Sequence, residues 1–192
     1  MPEIVLPLLI ALAVVILVPL LWFIGTYNGL VRLRQHMKES WSDIDAELKR
    51  RYNLIPNLVE TVRGYVAHEK QVLEAVTRAR QQAANSNGSP AQQAQDENVL
   101  IGSLRQLLAV SESYPDLKAG ANFLALQKEL ANTEDRIQAA RRFYNANARD
   151  LNTRIGQFPS NLVAGMFSFA PAEFFEIEDV GMRAAPTVNL GA

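Results

Sequence analysis

The apolar residues between Trp41 and Arg80 fall on one helical seam, and this seam constrains the fold more than any other feature of the sequence. The steps between them alternate between four and three residues, which is the spacing of a helix packed lengthwise against other helices. One heptad position is occupied by Trp41, Leu48, Ile55, Val62 and Val76, and the other by Tyr52, Val59, Val66 and Leu73. The seam predicts an all-α protein with coiled-coil-like packing.

Two residues depart from the pattern of the seam. Pro56 lacks the N–H that would bond the carbonyl of Tyr52, yet the seam keeps its phase across the proline. We therefore predict a kinked but continuous helix rather than two helices meeting at Asn53 to Asn57. Glu69 occupies a heptad core position, where it either lies at the seam edge and pairs with an arginine or serves as a working carboxylate.

Residues Ile4 to Ile24 form an uncharged apolar run of 21 residues. At a rise of 1.5 Å per residue the run is about 31 Å long, which matches the hydrocarbon core of a bilayer. Trp22 and Phe23 suit the interface with the headgroups. A cleaved signal peptide is the alternative, but the run is too long, no lysine or arginine precedes it and no A-x-A site follows.

The charges flanking the run predict its orientation. Arg32, Arg34 and Lys38 follow within about fifteen residues, whereas no lysine or arginine precedes the run. We expect a single-pass protein of the bacterial plasma membrane, with the N-terminus outside and the C-terminal domain in the cytoplasm.

No change of composition marks a linker after Ile24, so we expect the transmembrane helix to continue into the first bundle helix, and the clearest break in the rest of the chain is at Ala83 to Ala91. We expect a short outer tail (1–3), the transmembrane helix (4–24), a bundle of long antiparallel helices (25–155) and an aromatic tail (156–192) packed on the bundle. The bundle helices are predicted at about 25–84, 91–112 and 117–155, with Ser89 capping the second and either Asp116 or Asn122 capping the third. Pro159-Ser160-Asn161 can open a short helix that ends at about Met166, and we expect the rest of the tail to be extended. Its phenylalanines either cover the bundle or contact another subunit or the membrane.

Composition excludes several classes of function. The chain has no cysteine, two histidines (His36 and His68) and a net charge of −1, so thiol chemistry and general nucleic-acid binding are not expected. Neither histidine has the partners of a zinc or iron site, and no Gly-rich phosphate loop is present. We therefore expect no metal, no cofactor and no enzymatic activity.

Several segments, in order and spacing, resemble the bacterial LemA family. They are Tyr27-Asn28, WSDIDAELKRRYNLIPNLVETVRGYVAHE, SESYPDLKAGANFLALQKEL, TEDRIQAARRFYN, FPSNLVAGMFSF and FFEIEDV. The resemblance covers nearly all of the chain after the apolar run, with Asn53 standing where the family commonly has aspartate. It implies a single-pass membrane protein with a cytoplasmic helical bundle and no established enzymatic activity, so no catalytic residue is carried over.

These features favour a membrane-anchored scaffold or adaptor that forms homo-oligomers or binds an unidentified protein partner at the inner leaflet. A protein that shapes the membrane or responds to envelope stress by acting on lipid is the alternative. A less favoured one is an enzyme or ligand sensor using His68, Glu69, Arg141 and Arg142. Candidate contact residues, with Trp22 and Phe23 at the membrane interface, are Arg50, Arg51, Asn57, His68, Glu69, Arg141 and Asn145.

Overall fold

The computed structural model describes residues 2–66 and 69–177, with the side chains of residues 2–4 excepted. The described residues are all-α, as predicted, and contain no strand. The helices are α1 (Pro2–Arg63), α2 (Lys70–Ala84), α3 (Pro90–Ser111), α4 (Pro115–Lys118), α5 (Ala121–Gly156) and α6 (Ser160–Met166). The described residues form two compact units, the first within 2–39 and 146–172 and the second within 40–66, 69–145 and 173–177.

Helix α1 is continuous through Pro56, as the phase of the seam predicted. The predicted seam residues Leu48, Ile55, Val62 and Val76 are all buried, and so are Tyr52, Val59, Val66 and Leu73. The same helix carries the apolar run, and it is the one described helix long and apolar enough to cross a membrane. The side chains of that run are exposed from Val5 onward, except that of Phe23, as expected of a surface that faces lipid.

The predicted single helix over 25–84 differs from the structure, in which α1 ends at Arg63 and α2 begins at Lys70. Gly64 follows the last helical residue, and glycine is about 1 kcal/mol less favourable than alanine inside a helix. The N–H groups of Tyr65 and Val66 both bond the carbonyl of Val62, which closes the end of α1. The seam does not reveal this break because Val62, Val66 and Leu73 are buried on both sides of it.

The start of the third predicted helix also differs. Leu117 lies in α4, a separate single turn, and α5 begins only at Ala121. The N–H of Leu124 bonds the carbonyl of Gly120, so Gly120 precedes the helix in place of Asp116 or Asn122. A Cβ at residue 120 would lie 3.0 Å from the carbonyl oxygen of Leu117, which explains the glycine at this tight connection.

In the second unit, the core contains the predicted apolar faces of α3 and α5. Leu100, Leu104 and Leu107 of α3 are buried, and so are Leu130 and Ile137 of α5. Ser89 caps α3 as predicted, with its hydroxyl accepting the N–H of Gln92, and Pro90 is the first helical residue.

In the first unit, Val163 and Ala164 of α6 pack in a small apolar cluster with Leu30, Leu151 and Phe169. The predicted short helix is confirmed at Ser160–Met166. It ends in a Schellman motif, because the N–H of Phe169 bonds the carbonyl of Ala164 and the N–H of Ser168 bonds that of Gly165. Ser168 adopts φ 53°, a conformation that usually requires glycine.

Some phenylalanines of the aromatic tail are buried within the protein, and others remain exposed. Phe169 and Phe175 are buried in their own units, whereas Phe158, Phe167 and Phe174 remain exposed to different degrees. The part of the predicted tail beyond Ile177 lies outside the described residues.

Candidate functional site

A buried ionic cluster lies at the centre of the second unit. Arg51 of α1 is only 1% exposed. Its guanidinium donates to Glu97 of α3 and, at 2.7 Å, to Glu134 of α5. Gln138, one turn further along α5, donates to the other oxygen of Glu134 at 2.7 Å. One arginine thus holds three helices together through two carboxylates.

Tyr52 extends this cluster towards α2. Its hydroxyl donates to Glu97, and the amide nitrogen of Gln93 donates to the Tyr52 hydroxyl at 3.1 Å and to Glu97 at 3.0 Å. The same amide donates to the carbonyl of Ala83 at 3.1 Å, near the end of α2. Burial, reinforced by the nearby charge of Glu97, raises the pKa of Tyr52 well above its usual range, so the phenol stays protonated and remains a donor.

A further contact joins α1 and α2 at the proline. Pro56 cannot bond the carbonyl of Tyr52 four residues earlier. Nε of Arg80 donates to that carbonyl at 3.0 Å. The helix therefore tolerates the proline because an arginine of the neighbouring helix supplies the missing donor.

Within the second unit, side chains of α5 bond the backbone of residues 173–177, which we call the C-terminal segment. Asn145 pairs with the backbone of Phe175 in both directions, donating to its carbonyl at 3.0 Å and accepting its N–H at 2.9 Å. Arg141 donates to the carbonyl of Ile177 at 2.6 Å and the Tyr144 hydroxyl donates to that of Glu173 at 2.9 Å. We call Arg141, Tyr144 and Asn145 the tail clamp. Burial, with a smaller effect of the Glu173 charge, raises the pKa of Tyr144.

Aromatic packing secures the clamped segment. The Trp41 ring lies 5.3 Å from that of Tyr144 and 5.4 Å, edge-on, from that of Phe175, which is fully buried. Offset and edge-on ring pairs each contribute about 0.5–1.5 kcal/mol beyond their buried area. The start of the seam at Trp41 is therefore completed by a residue far away in the sequence.

The first unit repeats the asparagine pairing. Asn152 donates to the carbonyl of Ala172 at 2.9 Å and accepts the N–H of Ala172 at 2.7 Å. Asn152 and Asn145 are seven residues apart on α5, which is one heptad. An asparagine that satisfies both polar groups of one residue fixes the register of an extended segment without a strand partner.

The predicted contact residues have different surroundings. Arg51, Arg141 and Asn145 lie in the ionic cluster and the tail clamp. Arg50 forms an exposed ion pair with Glu129, and exposed Asn57 lines a shallow groove between α1 and α5. Glu69 directly precedes α2, with no side-chain cap bond to that helix. His68 lies outside the described residues.

At the end of the apolar run, Trp22 is exposed and Phe23 is half-buried, with the Phe23 ring 5.9 Å from the ring of Phe167. The role of these two residues at the membrane interface stays a prediction.

Sequence reasoning missed several residues of these sites. Glu97, Gln93, Glu134 and Asn152 were not among the candidates. The local signal for Glu97 is its i,i+4 spacing from Gln93 on the buried side of α3, where two polar residues interrupt an apolar helix face. Its pairing with Arg51, 46 residues away, leaves no local pattern.

A cleft of about 600 Å³ lies between the end of α1 and the start of α2. Its lining combines apolar and charged side chains: Arg63, Val66, Lys70, Leu73, Glu74, Thr77 and Arg78. Within residues 2–66 and 69–177, no group of three or more His, Cys, Asp or Glu side chains is arranged to hold a metal ion. The ionic cluster joins α1, α3 and α5, and the tail clamp bonds the backbone of residues 173–177.

Comparison with known proteins gives consistent relatives. A family model described as the LemA family matches residues 40–190. Protein LemA of Metamycoplasma hominis is 29% identical over 87% of this chain and 78% of its own length. Magnetosome protein MamQ 2 of Paramagnetospirillum magneticum is 26% identical over 89% of this chain and 74% of its own. Magnetosome protein MamQ of Magnetospirillum gryphiswaldense is 24% identical over 81% and 66%.

Proposed function

The chain belongs to the LemA family, and from this premise we propose that it is a membrane-anchored helical scaffold that self-associates or binds a partner protein at the inner leaflet. The observation that carries the proposal is that one uninterrupted helix, α1, contains both the apolar run and the buried seam. No linker sequence separates the proposed anchor from the bundle helix. Such a chain is suited to presenting a fixed surface beside a membrane.

The polar groups of the second unit support a structural role. Arg51, Glu97 and Glu134 are buried and bonded to one another, so they are not open to a substrate. A buried network of this kind specifies which helix faces meet, at some cost in stability.

The surface of the second unit offers a site for protein contact. Phe143 of α5 is 59% exposed, although its neighbour Tyr144 is buried in the tail clamp. Phenylalanine is among the residues enriched in protein interfaces, so we take Phe143 as the candidate contact. Leu124 of α5 and Val99 of α3 are also half exposed.

Site-specific crosslinking tests this proposal, because the chain contains no cysteine and each introduced thiol is unique. We would place single cysteines at Phe143 and, as a control, at exposed Lys128 of the same helix, and treat intact cells with a short bismaleimide. The proposal expects Phe143→Cys to yield a discrete product, either a dimer or a complex with one other protein. Equal, weak crosslinking at both positions would contradict it.

The lipid-acting alternative rests on a different observation, the exposed apolar side chains of the first unit around α6. A membrane-shaping protein would deform vesicles at high surface density. Vesicles unchanged in shape and leakage at that density would count against this alternative and leave the scaffold proposal intact.

A further inference from the structure

We propose that α6 is a second membrane contact, with Phe158, Leu162 and Met166 seated in the headgroup region of the bilayer beside the end of the apolar run. The inference rests on the membrane anchor of the proposed function. It goes beyond that function in assigning a lipid-binding surface to a helix outside the transmembrane segment.

The first observation is an apolar face left in solvent. Leu162 and Met166 are four residues apart on α6 and are 57% and 71% exposed, and Phe158, two residues before the helix, is 76% exposed. The opposite side of α6 is buried, because Val163 and Ala164 pack in the core of the first unit. Packing within the unit therefore does not account for this apolar face.

The second observation is the position of the face. The ring of Phe167, directly after α6, lies 5.9 Å from that of Phe23 and 4.6 Å from that of Tyr27. Phe23 is within the apolar run, and Leu30, which packs with α6, follows the last residue of that run by six residues, about 9 Å along the helix. The headgroup region on each side of a bilayer is about 5–8 Å thick. The contact with Phe23 therefore places Phe167, at the end of α6, beside the headgroup region, whereas Leu30 lies just beyond it.

The third observation is the distribution of charge. Residues 155–172 contain no charged side chain at all. The rest of the first unit beyond the apolar run, 25–39 and 146–154, carries five Lys or Arg residues against two Asp or Glu. Arg34 is one of them, and its guanidinium lies 4.9 Å over the ring of Phe169. Apolar side chains flanked by cations are the composition of a segment that binds an anionic membrane surface.

A bilayer is a better occupant for this face than a second copy of the chain. An anchored protein necessarily presents the residues that pack near the end of its span to lipid headgroups. A second copy would leave the neighbouring cations without the anionic partners that phospholipids provide. We therefore commit to lipid, and a second copy is one of the outcomes that the test distinguishes.

The test uses nitroxide labels on single cysteines in the full chain, reconstituted in vesicles of phosphatidylethanolamine and phosphatidylglycerol. Leu162→Cys and Met166→Cys report on the proposed face, Val15→Cys on the apolar run and Leu124→Cys on an exposed apolar position of the second unit. Oxygen concentrates in lipid and a nickel chelate in water, so the ratio of their effects on spin relaxation measures depth. We expect oxygen to have the larger effect on spin relaxation at residues 162, 166 and 15. The nickel chelate should have the larger effect at residue 124.

The outcomes are distinct. Nickel dominating at residues 162 and 166 while oxygen dominates at residue 15 would overturn the inference and leave the anchor standing. Protection from both reagents with spin coupling between chains would assign the face to a second copy and also overturn it. Nickel dominating at residue 15 would overturn the anchor and the inference together.

A matched pair of substitutions gives an independent check. Leu162→Glu places a charge on the proposed face, and Asn161→Glu places the same charge one residue earlier on an exposed polar position. With the label at residue 166, we expect Leu162→Glu to shift the ratio towards nickel and Asn161→Glu to leave it nearly unchanged. Equal responses to the two substitutions would contradict the proposed orientation of α6.

Discussion

Nε of Arg80 donates to the carbonyl oxygen of Tyr52 at 3.0 Å, and that carbonyl is the one that Pro56 leaves without its helical donor. The proline costs α1 a hydrogen bond and the arginine of α2 replaces it. The helix thus stays continuous while the freed acceptor becomes a specific docking point for the next helix.

Removing the arginine should therefore be costly only while the proline is present. Arg80→Ala should lower the free energy of unfolding by about 1–3 kcal/mol, because a partly buried carbonyl loses its donor. In the Pro56→Ala background, residue 56 supplies the helical N–H and the same change should cost clearly less. Urea unfolding of the full chain in detergent measures this double-mutant cycle, with exposed Arg78→Ala as control. Additive effects of the two changes would contradict the compensation.

Neighbouring arginines allow a matched test of the ionic cluster. Arg51→Met leaves Glu97 and Glu134 buried together without their cation, which should cost about 3–5 kcal/mol. Arg50→Met removes an exposed pair with Glu129 and should cost at most about 1 kcal/mol. Similar losses in the two variants, measured by the same urea unfolding, would show that the cluster does not stabilise the bundle as described.

The raised pKa of Tyr52 predicts a pH dependence at the alkaline end. Below the ordinary tyrosine value of 10.0 the phenol is protonated in both folded and unfolded chains, and its contribution to stability is fully present. As the pH rises above this value the unfolded chain releases the proton and the folded chain retains it, so stability falls. Tyr52→Phe should be less stable at neutral pH, yet its free energy of unfolding should decline less steeply above pH 10. A parallel decline in both proteins would contradict the burial of a protonated phenol.

The tail clamp can be released by changing one atom. Asn145→Asp replaces the amide donor with an oxygen that faces the carbonyl of Phe175, so the C-terminal segment should detach. In a Trp22→Phe background, detachment exposes Trp41 and should shift its emission to the red, because the ring loses its contact with Phe175. Exposed Asn132→Asp on the same helix is the control. Unchanged emission in Asn145→Asp would mean that the clamp is not needed to hold the segment.

The left-handed residue after α6 predicts a gain in stability. Ser168 has φ 53°, and this conformation costs a residue with a Cβ about 1–2 kcal/mol. Ser168→Gly relieves that cost, partly offset by the greater entropy of the unfolded chain, and should stabilise the protein by about 0.5 kcal/mol or more. Ser168→Val should destabilise it. Thermal unfolding of both variants shows whether each substitution raises or lowers the stability. A gain in stability in Ser168→Val would contradict the assigned conformation.

The periodic features of the sequence predicted the fold well where one helix face decides the structure. The seam around Leu48 and Ile55, the Ser89 cap and the short helix at Ser160 each depend on residues within one or two turns, so local spacing suffices. The break between Arg63 and Lys70 was not predicted, because the buried residues on its two sides keep the heptad phase. In the sequence, only Gly64 marks this break.

The candidate sites were less predictable because their partners are distant in sequence. Arg51 adjoins the seam residue Tyr52, and a charged side chain there is ordinarily assigned to solvent. Its burial depends on Glu134, 83 residues further along the chain. Asn145 was a candidate through the family resemblance, whereas Asn152, with the same pairing geometry, carried no signal in the single sequence.

The most direct test of the account is the mass of the full-length protein extracted from membranes in mild detergent, measured by native mass spectrometry or by light scattering corrected for detergent. The account predicts a discrete assembly, either a whole multiple of the 21.3 kDa chain or one chain with a stoichiometric partner. A single chain of 21.3 kDa, with no partner captured by crosslinking through Phe143→Cys in cells, would contradict the proposal that this protein is a scaffold.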